Sequence, residues 1–266
     1  SHIRGVDAIV EVVRSFDDQN IIHVAGIVDP EDDISTINTE LLLADLEQAT
    51  KAVKPLEDRV KKQDKEAAGQ LNYLNKAIEL LNNDIPLRTD KSLCTELKSF
   101  NFLTAKPLLY VANVGEKIND NYIEIINSHA QKEGAGLVVL SVKTELEIID
   151  LNEAEQAEFR ESLHIKSGLS ELIKAGYELL NLQTFFTAGP KEAHAWTITK
   201  GTKAPQAAGV IHTDFERGFI RAEVFSVQDL QELGSEKVIR EKGKLRSEGK
   251  DYVMQDGDVV EFLFNV

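Results

Sequence analysis

The sequence predicts an α/β protein: a parallel sheet packed by helices, interrupted by a helical hairpin and followed by a small mixed domain. Three observations carry this. Residues 7–14 (DAIVEVVR), 106–116 (KPLLYVANVGE) and 136–142 (GLVVLSV) contain short apolar runs separated by helical patterns. That alternation builds a parallel sheet with crossover helices. Between the first two runs, apolar residues recur at alternating spacings of four and three, the seam of paired helices. From Thr184 onward, short β-rich runs with glycine turns replace the helical patterns.

The run at 107–111 is apolar at every position, as expected of a strand buried on both faces. The polar residues that follow it, Asn113 to Glu116, then lie where open α/β sheets bind ligands. After the first strand comes an acidic, irregular stretch, FDDQNIIHVAGIVDPEDD, in which His23 reads as either a catalytic group or a surface-loop histidine. Asp33 or Ser35 is placed to cap the next helix, because its side-chain oxygen can accept from free first-turn N–H groups. The heptad seam then runs through Leu42, Leu46, Ala49, Val53, Leu56 and Val60. After the charged turn KKQDKE it returns at Ala67, Leu71, Leu74, Ile78 and Leu81. This pattern is an antiparallel hairpin. Pro55 lacks a backbone donor and crowds the preceding turn, so a kink or a new helix is expected near Leu56.

Residues 93–102 read as a return helix and residues 120–133 as a crossover helix. Further acidic helical residues follow, then an amphipathic helix from 168 to about 180. In the last part, HAWTI, AAGVIH, FIRAEVF and VVEFLF read as strands, with one helix near 227–234 and an Asp256-Gly257 turn before the final strand. A mixed sheet crossed by one helix suggests a β-grasp domain. The expected organisation is a parallel-sheet α/β domain in two parts (1–40 and 104–183), a helical insertion at 41–103, and the C-terminal domain at 184–266.

The 266 residues are 42% hydrophobic with a net charge of −15, enough for a sizeable core but not an overall surface that attracts nucleic acid or acidic membranes. The charge is uneven: 19 basic against 32 acidic residues up to Gln183, but 11 against 13 from Thr184. The C-terminal part is therefore the better place for a polyanion contact. Cys94 is the only cysteine; no internal disulfide can form, and a packing role suits it. No run reaches the ~18 apolar residues of a membrane span. The chain has no initiator Met and enters a buried strand almost at once, so it reads as lacking its natural N-terminus.

NVGE after one strand and SVK after the next resemble the two base-reading loops of a G-protein-like nucleotide-binding domain, usually NKxD and SAK. The NxxE form resembles the YchF family, the Obg-like ATPases. So do DPEDDISTINTELLLADLE, KSFNFLTAKPLLYVANVGE and the C-terminal FFTAGPKEAHAWTI, GTKAPQAAGVIHTDFERGFIRAEV and GKDYVMQDGDVVEFLFNV. The resemblance runs through the whole chain in the family's order. It implies a G-domain-like ATPase core with an inserted coiled coil and a TGS domain, ATP hydrolysis with Mg²⁺, ribosome association and a cytoplasmic location. No GxxxxGK[ST] loop and no switch DxxG occurs in the sequence. Those elements cradle phosphates and hold the metal, so this chain assigns no catalytic residue and no Mg²⁺ ligand, and by itself is expected to be inactive.

The candidate base-binding residues are Asn113, Val114, Glu116, Ser141 and Val142. A fixed Asp carboxylate accepts from guanine N1–H and N2–H, whereas adenine presents a bare acceptor at position 1. The longer arm of Glu116 moves the carboxylate off that line, which removes guanine selection rather than creating an adenine ligand. Asn113 can pair with adenine N6 and N7, Val114 offers an apolar face, and Ser141 and Val142 close the other side. In the C-terminal part, Lys242 and Arg246 are candidate RNA contacts within a mixed-charge segment. His212 and Asp214 read as a turn held by side-chain hydrogen bonds, since two ligands alone do not make a metal site; Trp196 reads as core. The leading function is a ribosome-associated ATPase. The alternatives are a non-catalytic RNA- or protein-binding module whose nucleotide only sets domain geometry, and a GTPase, against which NVGE argues.

Overall fold

The computed structural model describes residues 2–18, 20–23, 26–163, 167–189 and 192–265. The chain divides into two units, Ser1–Leu179 and Leu180–Val266. In the first, β1 (Ile9–Ser15) is followed by α1 (Pro30–Lys61), α2 (Lys65–Asn82) and α3 (Lys91–Glu96). Then come β2 (Leu108–Val114), α4 (Asp120–Glu133), β3 (Gly136–Leu140), α5 (Val142–Ile148), α6 (Glu153–Leu163) and α7 (Gly168–Leu179). The three apolar runs pair in parallel, in the order β1-β2-β3. The register sets Arg14 beside Asn113, and Asn113 beside Leu140.

β2 is central and buried on both faces, which explains its unbroken apolar run. Leu108, Tyr110 and Ala112 pack with Val13, Ile34, Ile126 and Ala130 under α1 and α4. Leu109 and Val111 pack with Val138, Leu140, Leu172, Ala175 and Leu179 under β3 and α7.

Helix α1 starts earlier than the sequence signals suggest. Asp29, not Asp33 or Ser35, is its cap: the carboxylate accepts from Glu31 N and Asp32 N, with Pro30 in the first turn. Proline at that position loses no intrahelical bond. Glu31, Asp32 and Asp33 then sit at the positive end of the helix dipole. The helix runs through Pro55 without a second helix starting there. Its first turns belong to the sheet, because Ile34 is fully buried in the core beneath it. Beyond them, Leu42, Ala49 and Leu56 meet Ala67, Leu74, Ala77 and Leu81 of α2 in a separate core. The tight turn between the helices uses Gln63 at φ 66 and caps α2 with Asp64. The return segment is broken rather than one helix: α3 is followed by a 3-10 turn, Lys98–Phe100, which ends at Asn101 in the left-handed region.

One buried carboxylate ties this return to α1. Asp45 is 0% exposed and accepts from Leu103 N (3.0 Å), Thr104 N (2.7 Å), Thr104 Oγ1 (2.9 Å) and Arg4 Nη1 (2.8 Å). Nearby lies a second polar group. Arg88 Nη1 donates to Glu133 Oε2 (2.6 Å), whose other oxygen takes Asn38 Nδ2 (2.9 Å) and the Tyr110 hydroxyl (3.2 Å). Glu11, opposite Tyr110 in the sheet, joins them with its Oε2 buried and without a hydrogen bond. Burial, reinforced by the Glu133 charge and partly offset by Arg88, raises the Glu11 carboxyl to about 7.

The second unit contains β4 (Leu182–Ala188), β5 (Ala193–Thr199), α8 (Ala204–Ile211), α9 (Thr213–Arg217), β6 (Phe219–Ser226), α10 (Val227–Leu233), α11 (Glu236–Glu241), β7 (Arg246–Glu248) and β8 (Asp258–Phe264). The sheet order is β5-β4-β8-β6-β7, with β4 and β8 parallel and the other pairs antiparallel. AAGVIH is not a strand. Pro205 stands in the first turn of α8, and Ala204, Ala207 and Ala208 share its buried face, a spacing that fits 3.6 residues per turn and not two. Helices also cover both sheet faces rather than one: α8 and α9 lie over the Phe185–Phe262 core, α10 and α11 over Phe225 and Val259. Among the described residues, no helix is long and apolar enough to cross a membrane.

Two outcomes follow from the buried carboxylates. Asp45→Asn should lower stability by about 2–4 kcal/mol, measured by urea unfolding. It removes a charge and sets an NH₂ among donors; the value falls below the ~3–5 kcal/mol of a fully buried pair because Arg4 keeps some contact with water. A variant as stable as wild type would show that Asp45 does not anchor the return segment. For Glu11, the folded-state value near 7 lies above the ordinary 4.5, so its contribution is fully present below that ordinary value and lost as pH rises towards 7. Glu11→Gln should therefore gain stability relative to wild type as pH rises through this window and level off above it. Equal differences in unfolding midpoint at pH 5 and pH 8 would contradict this.

Candidate nucleotide-base site

The carboxyl ends of the three parallel strands place the two predicted loops side by side. β3 ends at Leu140, and Ser141 caps α5 by accepting from Thr144 N at 3.3 Å. That cap turns the Val142 amide toward β2, where it donates to Asn113 Oδ1 at 3.1 Å. An N–H can only donate, so the bond fixes the orientation of the Asn113 amide. Its carbonyl holds the second loop, and its Nδ2 is left as a donor.

Glu116 is 85% exposed and Lys143 68%. Lys143 Nζ donates to Glu116 Oε1 at 3.0 Å, and this bond holds the Lys143 ammonium above its ordinary range. The ion pair spans the two loops. Both partners are in water, so its energy is small, but it directs the Glu116 carboxylate toward Lys143. Val114 is only 7% exposed. Val142, at 38%, presents more of the apolar surface.

The loops border an open cleft of about 1220 Å³ lined by Asn113, Val114, Glu116, Val142 and Lys143, roomy enough for a nucleoside. A smaller cleft of about 520 Å³ on the other side of the turn contains Ser141 together with Val114 and Glu116. The far wall of the larger cleft is Phe16, Asp17, Asp18 and Ile21, the segment leaving β1. Arg14 shapes it: Nε donates to Phe16 O (3.1 Å), Nη1 to Ile21 O (3.0 Å) and Nη2 to Asp18 O (3.2 Å), and the guanidinium stacks 4.8 Å from the Phe16 ring centre. A Cβ on Gly115 would lie 3.0 Å from Phe16 Cβ, so the third position of NVGE has no room for a side chain unless Phe16 moves. Sequence reasoning missed Arg14, Phe16 and the pairing of Lys143 with Glu116. An Arg two residues before an aromatic, at the end of a strand, was the available signal; that strand is the sheet edge, with Val10 and Val12 exposed on one face rather than buried on both.

The remaining candidates have structural partners. His23 is 14% exposed with its Nε2 3.0 Å from Asp33 Oδ2, tying the loop to α1. His212 Nδ1 accepts from Asp214 N at 3.2 Å and caps α9. Trp196 is half-buried, with Nε1 donating to Thr187 Oγ1. Cys94 is half-buried with Sγ against Leu87 O, and burial raises its thiol. Arg246 is drawn into its own domain, 3.3 Å from Asp258 Oδ1 and 3.2 Å from the Tyr252 hydroxyl. Lys242 follows α11 as its C-cap. Among the described residues no group of three or more His, Cys, Asp or Glu could hold a metal ion.

Parallel strands with paired ligand loops at their carboxyl ends define a GTPase-like nucleotide-binding domain, here with a helical hairpin inserted and a second α/β unit attached. The comparisons specify it. A family model labelled YchF-GTPase_C and described as "Protein of unknown function (DUF933)" matches residues 182–265. The chain is 49% identical over 272 residues to the Ribosome-binding ATPase YchF of Haemophilus influenzae. It is 48% identical over 276 residues to the protein of that name from Bacillus subtilis. In both cases the match covers 100% of this chain and 75% of the relative. A solved structure titled as the YchF GTPase of Schizosaccharomyces pombe superposes with a TM-score of 0.82 at 37% identity, over 98% of this chain and 73% of that one. The chain belongs to the YchF family.

Gly115→Ala tests the close packing of the loop. The added methyl crowds Phe16 at a cost of ~1–3 kcal/mol, against a gain of ~0.4–1 kcal/mol from a stiffer unfolded chain. A net loss of about 1 kcal/mol is expected in thermal or urea unfolding. A variant more stable than wild type would show that Phe16 is not fixed there.

Proposed function

We propose that this chain carries the base-reading loops and C-terminal domain of a ribosome-associated ATPase that takes ATP in preference to GTP. The observation that carries the reading is the divided use of the two loops. Asn113 spends its carbonyl on Val142 N, leaving Nδ2 to donate to purine N7, an acceptor that adenine and guanine share. Glu116 leans to Lys143, so no carboxylate is held in line with guanine N1–H and N2–H. A site that does not satisfy those donors loses its basis for choosing guanine. Val142 and Phe16 supply apolar surface for the base in the larger cleft, while Ser141 acts through its cap of α5, which sets the Val142 amide.

Hydrolysis itself requires a phosphate-binding loop, and none occurs in this sequence. The chain alone is inactive in this reading, and Mg²⁺ enters with ATP on residues other than those described. The relatives' name supports ribosome association in the cytoplasm. For the C-terminal domain, Lys242 remains the better RNA-contact candidate, since Arg246 is already paired with Asp258.

The test is competition binding of ATP against GTP in the full-length protein. Wild type should prefer ATP. Glu116→Asp shortens the arm and withdraws the carboxylate from Lys143, so it should recover part of guanine binding, within the ~1–3 kcal/mol of a good bidentate base contact. Asn113→Ala should weaken both nucleotides alike. No ATP preference in wild type, or an unmoved ratio in Glu116→Asp, would overturn the reading.

A further inference from the structure

We propose that Arg14 is a positioning residue for the nucleotide: its guanidinium holds the Phe16–Ile21 segment as the wall against which the base is seated. The proposal rests on the base-reading role of the two loops. Arg14 lies directly beside Asn113 in the β1-β2 register, one strand from the residue that reads the purine. Its three donor nitrogens go to the carbonyls of Phe16, Asp18 and Ile21, which no other described side chain gathers. All three of those residues line the cleft. The same guanidinium lies over the Phe16 ring at 4.8 Å from its centre, within the range of a cation–π contact.

Besides Arg14, Phe16 packs against Gly115 and His23, just beyond the segment, pairs with Asp33. Among the described residues the other hydrogen bonds within the segment are Asn20 N to Asp18 Oδ1 (2.8 Å) and Ile21 N to Asp18 O (3.3 Å); neither reaches Phe16. Without Arg14, the wall would lose its fixed distance from Asn113 and Val142, while the strands that carry those residues would keep their ladder bonds. The planar fork of Arg suits three diverging carbonyls, whereas a Lys ammonium concentrates its donors at one point. The effect falls on the base and not on the phosphates, so it changes binding and leaves the chemical step alone. It is also indifferent to purine identity, because a stacking wall has no donor or acceptor pattern.

The experiment compares Arg14→Ala, Arg14→Lys and Asn113→Ala in the full-length protein, by ATPase kinetics and by binding of fluorescent ATP and GTP analogues. Arg14→Ala should raise KM for ATP about fivefold, part of the ~1–3 kcal/mol of a base–aromatic contact, with kcat within about twofold of wild type. It should weaken ATP and GTP analogues by the same factor, and Arg14→Lys should fall between. An unchanged KM in Arg14→Ala, or a loss confined to kcat, overturns the proposal. If Arg14→Ala does not melt cooperatively, Arg14→Lys decides: raised KM with retained kcat supports the proposal and unchanged KM overturns it. Asn113→Ala separates the two readings. If it raises KM and the Arg14 variants do not, positioning by Arg14 fails alone; if none of the variants moves KM, the base-reading loops fail as well.

Discussion

The Asp45 carboxylate is the interaction on which the first unit depends. It reaches across 58 and 59 residues of sequence to the amides of Leu103 and Thr104. A helical hairpin inserted between two strands must bring the chain back at the right height for the next strand. Heptad packing does not settle that height, because a seam of similar apolar side chains tolerates sliding. A buried carboxylate with several donors around it does not, since any slip leaves a charge without partners in a poorly solvated place. Leu103 and Thr104 lie only a few residues before β2 (Leu108–Val114), so the bond also sets where β2 begins and hence where Asn113 stands.

The polar group beneath the sheet extends the same logic at some energetic disadvantage. Arg88, Glu133, Asn38 and Tyr110 bond to one another, joining the hairpin's return, α4, α1 and β2, although Arg88 Nη2 is buried without a hydrogen bond. Glu11 is the other poorly served member, with an orphan oxygen and a carboxyl raised to about 7. The strand needs a side chain on that face and the neighbouring Arg88 keeps the charge tolerable. The result is a junction between sheet and hairpin in which the Glu11 contribution falls away as pH rises from the ordinary carboxylate range towards about 7.

At the strand ends, bonds between the loops combine with bonds within each of them. Asn113 orients α5 through Val142, Ser141 caps that helix, Lys143 draws Glu116 sideways and Arg14 gathers the opposite wall. Relatives of this chain are named both ATPases and a GTPase. In this chain the acidic side chain of the NVGE loop, Glu116, is directed at Lys143.

Much of the fold, and the side-by-side placing of the two loops of the candidate site, was legible in the residues alone. β2 shows as an unbroken apolar run because both its faces are covered, and the hairpin shows as a heptad because its seam has one period. The loops could be read as ligand-binding because their polar residues follow buried strands. The errors have equally local causes. AAGVIH is short and apolar, and only the burial of Ala204, Ala207 and Ala208 against the sheet decides that it is helical. Asp33 looked like a cap because capping depends on backbone geometry, and Asp29 with Pro30 supplied it one turn earlier. The sequence by itself determined the class of fold, the inserted hairpin and which polar loops stand at the carboxyl ends of the strands, since these follow from periodicity and residue type along the chain. Tertiary structure alone decided the partnerships: Asp45 with residues nearly sixty positions away, Lys143 with Glu116, and Arg14 with the wall beside Asn113. Such bonds depend on distances across the fold, and hydrophobic periodicity carries no record of them.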